Sequence, residues 1–419
     1  MQQNKKSCFI NLVLEGLKRC NIPLDSKVLV SCSGGSDSTA LLLALKSISN
    51  KSNLFIKAAH FNHGVRERES DLDEQFVRDL CDDIGIPLIA ERAPEKVNNE
   101  SVMRKHRYKF LGKTLEQNEL QYLLTGHTKD DQAETVLLNI VRGAGIRGSG
   151  GIPEVSVRND ISRTYPIVVV RPMLRIRKIM TREYCDSFQI KPCEDSSNLD
   201  TKFKRNLIRH KIMPKLELIN PGIVDALNRL SINAQSDRIL IQSIVEDTLK
   251  TFGNDNLPKN KILKIPDNLL GHILINKYEN IAGTTDGLSM EHVNSMISAT
   301  KSHAGIRLDM PNNIQFIVEH TYISFVKKND EEEFYEYPKS RKNETKIQFP
   351  GETNLINNLV IKTRIIPRPN ILKPRSKWHT YANIYLKSLD LKIRNREKGD
   401  RFYPMGMKGD VSLQDFFVN

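Results

Sequence analysis

The chain has 419 residues, of which 39% are hydrophobic and 27% charged, and its formal net charge at pH 7 is +13. This length allows two or three domains, and the composition excludes a disordered or fibrous chain and fits a soluble globular protein. The excess of positive charge favours a polyanionic partner, most simply a nucleic acid. No apolar run approaches the ~20 residues that a membrane-spanning helix needs, so we expect no membrane partner.

The six cysteines are scattered along the chain and form no Cys-x-x-Cys pair. This spacing predicts neither a disulfide framework nor a zinc or iron–sulfur site, and it is typical of a reducing cytosol. Polar residues interrupt the apolar residues at 9–15 with helical spacing, which predicts an amphipathic helix and not a signal peptide. We therefore expect a cytoplasmic protein.

The first predicted strand, residues 28–31, runs into a loop of small residues that is followed at once by an apolar helical segment. Glycines let a backbone approach a ligand closely, and serines add hydroxyl donors, so this junction predicts an anion site. The alternative is a serine-rich turn that only caps the helix. Asp37 would repel a phosphate, so its presence predicts a bridging cation such as Mg²⁺.

The loop lacks both the Gly-Lys-Ser/Thr ending of a Walker A motif and the Gly-x-Gly-x-x-Gly pattern. Its Ser-Gly-Gly-x-Asp-Ser sequence after a strand resembles the PP-loop of the ATP pyrophosphatases. This resemblance implies that ATP phosphates bind at Ser33, Gly34, Gly35, Ser36, Asp37 and Ser38.

Strands and helices alternate as far as about residue 215. The predicted strands are residues 28–31, 54–60, 87–90 and 122–125, and the predicted helices are residues 69–84, 100–115 and 129–142. Such repeated β–α units with nearly continuous apolar strands predict an α/β fold with a doubly wound, mainly parallel sheet. Ligands of these sheets bind beyond the carboxyl ends of the strands, where the loop, His60 and residues 125–127 all lie.

Two histidines, His60 and His63, follow the second predicted strand. They suggest a metal pair, but no third ligand with suitable spacing is evident in the sequence. We interpret this segment as a loop beside the nucleotide, with His60 as an ATP-binding residue.

An arginine-rich pattern, Glu-x-x-x-Arg-x-x-Arg-Tyr, spans residues 100–108. Arg104 lies one helical turn from Glu100 and shares a face with Tyr108. One interpretation is that Arg104 neutralises charge on departing pyrophosphate, as a catalytic residue. By spacing alone we favour the alternative, a surface ion pair with Tyr108 packed in the core.

Two carboxylates, Asp131 and Glu134, occupy one face of the helix that follows the fourth predicted strand. Together with Asp37 they could bind Mg²⁺ or an amine substrate. The alternative is simple capping of the helix, because acidic residues are favoured in a first turn. Their position at the strand ends, beside the loop, favours a functional role.

Basic residues cluster at two places in the second half of the sequence. Arg205 and Arg209 lie one turn apart on a predicted basic helix after a polar turn at 195–200. Basic and aromatic residues alternate around Arg401. Both clusters fit RNA phosphates and bases, and the alternative for the helix is a solvated basic face.

The domain organisation follows from these patterns. We predict a catalytic domain at 1–215, a mainly helical RNA-binding domain at 216–330, and a small β-rich RNA-binding domain at 331–419. The predicted helices of the middle domain are residues 223–252, 268–278 and 289–300, and a charged linker is predicted at 327–333.

Taken together, these stretches resemble the tRNA(Ile)-lysidine synthetase family. The PP-loop is shared by many enzymes, whereas the ordered set of motifs is specific; it comprises residues 33–38, 100–108, 126–135, 195–209, 399–402 and 413–417. The family's C-terminal module normally continues beyond the Asp-Phe-Phe stretch, and this sequence ends at Asn419. We therefore expect a truncated C-terminal module.

The resemblance implies an ATP-dependent ligase that acts on the wobble cytidine of tRNA(Ile) with a CAU anticodon. ATP adenylates the cytidine O2 and releases pyrophosphate, and the ε-amino group of L-lysine then displaces AMP. The product reads AUA in place of AUG. The resemblance assigns phosphate contacts to Arg104 and RNA contacts to Arg205 and Arg209. It does not say which of Asp131 and Glu134 binds Mg²⁺ and which binds lysine.

Two other functions remain open from the sequence. The first is a PP-loop tRNA cytidine thiolase, which is disfavoured because such enzymes use paired cysteines. The second is a catalytically silent RNA-binding homologue, which the intact loop and carboxylates disfavour. The oligomeric state is also open, with a homodimer as one alternative.

Overall fold

The computed structural model describes residues 2–64, 68–93, 100–158, 166–193, 203–253, 256–328, 345–355, 360–367, 379, 381, 391–394, 397, 399–403 and 409–413. The chain divides into two compact units, Met1–Ser243 and Ile244–Asn419. Among the helices described, none combines the length and the apolar character that crossing a membrane requires.

The first unit alternates strands and helices as the sequence predicts. Its elements are α1 (Gln2–Arg19), β1 (Lys27–Ser31), α2 (Ser36–Ser49), β2 (Phe55–Asn62), α3 (Arg68–Ile84), β3 (Leu88–Arg92), α4 (Glu100–Gln117), β4 (Tyr122–Thr125), α5 (Lys129–Val141), α6 (Ile146–Ser149), β5 (Val155–Arg158), β6 (Ile167–Val170), α7 (Lys178–Asp186), α8 (Lys204–Leu207), a π-helix (Ile208–Ile212), α9 (Met213–Ile219) and the larger part of α10 (Ile223–Lys250), whose last residues belong to the second unit.

Its sheet has the strand order β3-β2-β1-β4-β6-β5. All neighbouring strands are parallel except β5, which pairs antiparallel with β6. The chain places β2 and β3 on one side of β1 and β4 on the other, so the direction of winding reverses between β1 and β4. Ligands of open α/β sheets bind at such a switch point. The predicted fold class is confirmed.

The central strand β1 is buried on both faces, which explains its unbroken apolar sequence. Val28 and Val30 pack with α1, α2 and α7 in one core cluster. Leu29 points to the other face and packs with the buried side of α4, including Tyr108 and Leu111. Successive side chains of a strand alternate between faces, so one strand anchors both helical layers.

The helices after β6 complete the first unit. Ile208 of the π-helix and Met213 at the start of α9 pack against Val136 of α5 and Val224 of α10. These apolar contacts bring the basic segment at 203–211 against α5, beside the carboxyl ends of the strands.

The second unit contains an antiparallel sheet that the sequence analysis did not predict. Its elements are β7 (Leu257–Pro258), α11 (Lys259–Ile262), α12 (Asp267–Ala282), α13 (Met290–Thr300), β8 (Ile306–Met310), β9 (Ile314–Val318) and β10 (Tyr322–Lys327), with strand order β7-β10-β9-β8. The predicted helices are present, but the prediction of a mainly helical region up to residue 330 missed these strands. All five residues of β9 are buried, so its sequence shows no period-two alternation.

Short strand pairs follow towards the C-terminus and confirm a strand-rich final part. They are formed by β11 (Thr345–Lys346) with β14 (Lys392–Ile393), β12 (Gly351–Asn354) with β13 (Val360–Thr363), and β15 (Arg401–Phe402) with β16 (Val411–Ser412). The polar turn at 195–200, the linker beyond residue 328 and the motif at 414–417 lie outside the described residues. The predicted domain boundaries at 215 and 330 stay predictions.

Candidate active site

The loop between β1 and α2 exposes the start of a 14-residue helix. Gly35 is the N-cap residue, and because glycine has no side chain it supplies no capping hydrogen bond. The first amide groups of a helix have no partner within the helix, so this end can bind an anion. Gly34 has a φ of +85°, and a Cβ there would lie 3.2 Å from the Sγ of Cys193. Both conformation and space therefore require glycine at position 34.

Ser38 fixes the shape of this loop from within. Its buried hydroxyl donates to the Gly35 carbonyl at 3.1 Å and accepts from the Ser33 amide at 3.1 Å. The hydroxyls of Ser33 and Ser38 are also 3.2 Å apart. Ser33 is exposed and Ser36 half-buried, so these two serines can reach a ligand while Ser38 holds the backbone.

Asp37 points towards α7 and has two partners there. The hydroxyl of Thr181 donates to its Oδ1 at 2.6 Å, and the Nζ of Lys178 lies 3.1 Å from its Oδ2. Burial raises the pKa of Asp37, and Lys178 and Thr181 offset part of this rise. Neither partner could be predicted from the sequence, because no local motif links α7 to a residue more than 140 positions earlier.

The segment after β4 lies directly against the loop. A Cβ on Gly126 would come within 2.9 Å of the Asp37 carbonyl carbon and the Ser38 amide nitrogen. His127 follows, with its Nδ1 2.8 Å from the Thr125 hydroxyl. Burial lowers the pKa of His127 to about 3, so its imidazole is neutral at physiological pH.

His60 supports the loop from the neighbouring strand. It is 4% exposed, and its Nδ1 lies 3.0 Å from the carbonyl oxygen of Cys32, the residue before the loop. Burial also lowers the pKa of His60. The structure thus places His60 beside the loop, at the carboxyl end of β2.

Two buried carboxylates and two half-buried arginines form one ion-pair cluster at the start of α5. Arg205 bonds to Asp131 at 3.0 Å and to Glu134 at 3.2 Å. Arg209 bonds to Asp131 at 3.2 Å and to Glu134 at 2.6 and 2.8 Å. Asp131 and Glu134 are 8% and 4% exposed. The predicted lysine or metal ligands and the predicted RNA-binding arginines therefore lie together.

Asp131 has a second role in the same place. Its Oδ2 accepts hydrogen bonds from the amide and the hydroxyl of Thr128, which form a capping box at the start of α5. Burial acts to raise the pKa of Asp131, but Arg205, the Thr128 amide and Lys178 outweigh it, and the pKa lies below its ordinary value. The carboxylate is therefore ionised, and it both caps the helix and pairs with the arginines.

The carboxylates do not form a metal cage of their own. Among the described residues, no group of three or more histidine, cysteine or acidic side chains could hold a metal ion. Mg²⁺ commonly binds through one or two carboxylates together with substrate phosphates. Asp37, at the mouth of the loop, fits this smaller requirement, and the charge of Asp131 is close enough to influence it.

Arg104 and Arg401 occupy different surroundings. Arg104 is exposed and donates to the hydroxyl of Tyr108 at 3.3 Å. Tyr108 is 5% exposed and packs in the core, as the simpler interpretation of the pattern predicts; the side chain of Glu100 lies outside the described part. In the second unit, Arg401 donates to Asp410 at 2.6 Å.

A glycine-rich loop beside α5 was not identified from the sequence. Gln132 accepts from the Ile152 amide at 2.6 Å and donates to the Ile152 carbonyl at 2.9 Å. Gly151 has a φ of +61°, and a Cβ there would clash with Gln132. The three glycines at positions 148, 150 and 151 were the available signal in the sequence.

A comparison with protein families adds to this geometry. The PP-loop domain family matches residues 11–216, which include the loop, the carboxylates and both arginines of the ion-pair cluster. Residues 11–216 are thus similar to a PP-loop domain. Within them, the amino-terminal end of α2 and the ion-pair cluster on α5 both lie at the carboxyl edge of the sheet.

Relatives extend the similarity well beyond the PP-loop domain. The chain is 29% identical to the tRNA(Ile)-lysidine synthase of Dehalococcoides mccartyi, over 94% of this chain and 85% of that protein. It is 27% identical to the tRNA(Ile)-lysidine synthase of Clostridium acetobutylicum, over 98% of this chain and 89% of that protein.

Among solved structures, the U34-tRNA thiolase NcsA from Methanococcus maripaludis is similar at 18% identity, with a TM-score of 0.44. The match covers 55% of this chain and 80% of that chain. A similarity this weak supports no conclusion about activity.

Proposed function

We propose that this chain is a tRNA(Ile)-lysidine synthase, an ATP-dependent carbon–nitrogen ligase that modifies tRNA. The observation that carries the proposal is the similarity to proteins of this name over 94% and 98% of the chain. The site geometry supports it, because an anion-binding helix end lies beside paired carboxylates and arginines. ATP, L-lysine and the CAU-anticodon tRNA(Ile) are the proposed substrates.

The reaction has two steps in this proposal. The cytidine O2 attacks the α-phosphorus of ATP, and pyrophosphate leaves. The lysine ε-amine then attacks carbon 2, and AMP leaves with the oxygen. The amides at the start of α2, together with Ser33 and Ser36, hold the triphosphate, and Arg104 opposes the charge that develops on pyrophosphate.

The ion-pair cluster supplies the lysine site in this proposal. Asp131 and Glu134 attract the lysine ammonium group and accept its proton before attack. Their oxygens are bonded to Arg205 and Arg209 in the structure. Phosphates of the tRNA compete for these guanidinium groups, so RNA binding would free the carboxylates for lysine.

Mg²⁺ is the proposed cofactor, with Asp37 as its protein ligand and Asp131 as the second candidate. When bound, the ion neutralises charge on the triphosphate. In the structure, the ammonium group of Lys178 pairs with the same Asp37 carboxylate and so places a positive charge beside the proposed Mg²⁺ site. We also propose a cytoplasmic location. A homodimer stays a prediction, which measurement of the molecular mass in solution would test.

The decisive experiment supplies ATP, labelled L-lysine and a CAU-anticodon tRNA(Ile) transcript to the full chain. We expect AMP formation that depends on both lysine and tRNA, and a tRNA whose mass increases by bound lysine. A transcript with uridine at the wobble position is the matched control and should give neither. Sulfur incorporation without lysine would support the thiolase instead, and tRNA binding without AMP formation would support the silent homologue.

A further inference from the structure

Asp130 joins two helices that carry parts of the candidate site. It lies in the first turn of α5, directly before Asp131, and its side chain is 23% exposed. Its Oδ2 accepts a hydrogen bond from the backbone amide of Lys178, the first residue of α7, at 2.7 Å. The N-cap residue of α7, Arg177, supplies no capping hydrogen bond from its own side chain. Because the first amides of a helix have no partner within the helix, Asp130 caps α7 from outside.

Two further contacts hold the same two turns together. The backbone amide of Lys129 donates to the Ile176 carbonyl at 2.9 Å. The Nε of Arg177 lies 3.3 Å from Oδ1 of Asp130. A carboxylate is also favoured electrostatically beside the positive end of a helix, so both the charge and the geometry of Asp130 suit this place. The first turn of α5 therefore fixes where α7 begins.

The first turn of α7 carries two partners of Asp37. The Nζ of Lys178 lies 3.1 Å from Oδ2 of Asp37. Thr181, which is fully buried, donates to Oδ1 of Asp37 at 2.6 Å. Lys178 thus makes two contacts at once, because Asp130 accepts from its amide while its ammonium group pairs with Asp37. A continuous set of contacts runs from α5 through α7 to the loop between β1 and α2.

We propose that Asp130 is a positioning residue for the nucleotide site and acts through Lys178. By holding the Lys178 amide, Asp130 places the Lys178 ammonium group and the Asp37 carboxylate at the mouth of the loop. Asp130 itself contacts no substrate. The inference rests on the proposed function, in which Asp37 takes part in ATP binding. A small displacement of such groups is costly, so the loss of Asp130 should be felt at the loop.

The alternative is that Asp130 only stabilises the packing of α7 on α5. In that case its removal lowers the melting temperature, and any effect on ATP binding does not depend on the side chain of Lys178. A residue that acts through Lys178 has little effect once that side chain has been removed. A double-mutant cycle of Asp130 and Lys178 therefore distinguishes the two roles.

The experiment uses the full chain and measures ATP binding by calorimetry in the presence of Mg²⁺, without tRNA or lysine. The variants are Asp130→Ala, Lys178→Met and the double variant, and the melting temperature of each is recorded. Asp186→Ala is the matched control, because Asp186 is an exposed carboxylate at the other end of α7. Asp130→Asn is a conservative variant, since its side-chain amide oxygen can still accept from the Lys178 amide.

Asp130→Ala should weaken ATP binding about tenfold, as expected for loss of a charge-assisted hydrogen bond. Asp186→Ala should bind ATP as the wild type does. When Lys178→Met is already present, Asp130→Ala should change the dissociation constant by less than about twofold. Asp130→Asn should bind ATP more tightly than Asp130→Ala. The same cycle with Asp130→Asn keeps the test valid if Asp130→Ala does not fold.

Wild-type ATP affinity in Asp130→Ala would overturn the inference, whatever its melting temperature. An equal loss of affinity with and without the Lys178 side chain would overturn it too, because the effect would not pass through Lys178. Equal weakness of Asp130→Ala and Asp130→Asn would exclude the hydrogen bond to the Lys178 amide as the cause. These measurements require no turnover, so failure of lysine-dependent AMP formation would count against the proposed function alone. Absence of ATP binding in the wild type would count against both.

Discussion

Arg209 bonds to both carboxylate oxygens of Glu134, through Nε at 2.6 Å and Nη2 at 2.8 Å. The side chain of Glu134 is 5% exposed and that of Arg209 is 20% exposed. A planar guanidinium and a carboxylate make two parallel hydrogen bonds in this geometry, which is the strongest form of the pair. Because Glu134 is buried, removal of either partner should lower the free energy of unfolding.

Glu134→Gln should destabilise the protein. The substitution removes one of two carboxylates and leaves two positive charges against Asp131 alone, and breaking such a buried pair costs about 3 kcal/mol. Urea unfolding measures this loss. Glu183→Gln removes a carboxylate that is 50% exposed and paired with Lys5, and it should change the free energy of unfolding by no more than about 0.5 kcal/mol. Equal losses in the two variants would contradict the prediction.

Gly126→Ala should slow AMP formation by about tenfold or more, because a small displacement of reacting groups is costly. The new methyl group would lie 2.9 Å from the backbone of Asp37 and Ser38 and would displace the phosphate loop. Gly145→Ala is the control, since no atom lies within 4 Å of a Cβ at that position. Wild-type kinetics for Gly126→Ala would show that the loop tolerates the displacement.

His127 should make the protein less stable in acid. Burial lowers its pKa to about 3 from an ordinary 6.5. Between these values the unfolded state binds more protons, so stability falls as the pH decreases. From pH 7 to pH 5 the wild type should lose on the order of 1–2 kcal/mol more than His127→Asn. Urea unfolding at both pH values measures the difference. Equal losses of stability in the wild type and in His127→Asn would show that His127 does not cause the acid sensitivity.

Lys178→Met should shift the pH dependence of AMP formation. Burial raises the pKa of Asp37 and Lys178 opposes the rise, so removing the ammonium group raises the pKa further. The ionised carboxylate is the proposed functional form. As the pH is lowered, AMP formation by Lys178→Met should therefore begin to fall at a higher pH than AMP formation by the wild type. Lys51→Gln, at an exposed lysine beyond α2, should keep the wild-type profile. An unchanged pH profile for Lys178→Met would show that ionisation of Asp37 does not control AMP formation.

Local sequence was enough to predict the main sheet and the glycine- and serine-rich loop between β1 and α2; phosphate binding by that loop stays a prediction. The strand, glycine and serine pattern at 28–38 is contiguous, and β4 begins and ends where the apolar run predicts. Short-range patterns carry this information because backbone geometry depends on neighbouring residues.

Side-chain partners across the sheet could not be predicted in this way. Thr181 meets Asp37 only after the chain has passed through several strands and helices. The ion pairs of Arg205 and Arg209 with α5 depend on the packing of Ile208 and Met213, and charge alone does not reveal this packing. Asp131 caps α5, which was one of the two predicted alternatives, and it also pairs with Arg205 and Arg209, which the sequence did not predict.

The long helix α10 determines where the chain can be shortened. Asn228 donates to the Lys129 carbonyl at 2.9 Å, and Ser231 and Gln235 donate to the Gly150 carbonyl at 2.7 and 2.6 Å. A recombinant fragment that stops at residue 215 would remove these donors and lose the hydrogen bonds that join α10 to Lys129 and Gly150. A fragment that continues to Ser243 keeps them and is the better starting point for producing the catalytic half alone.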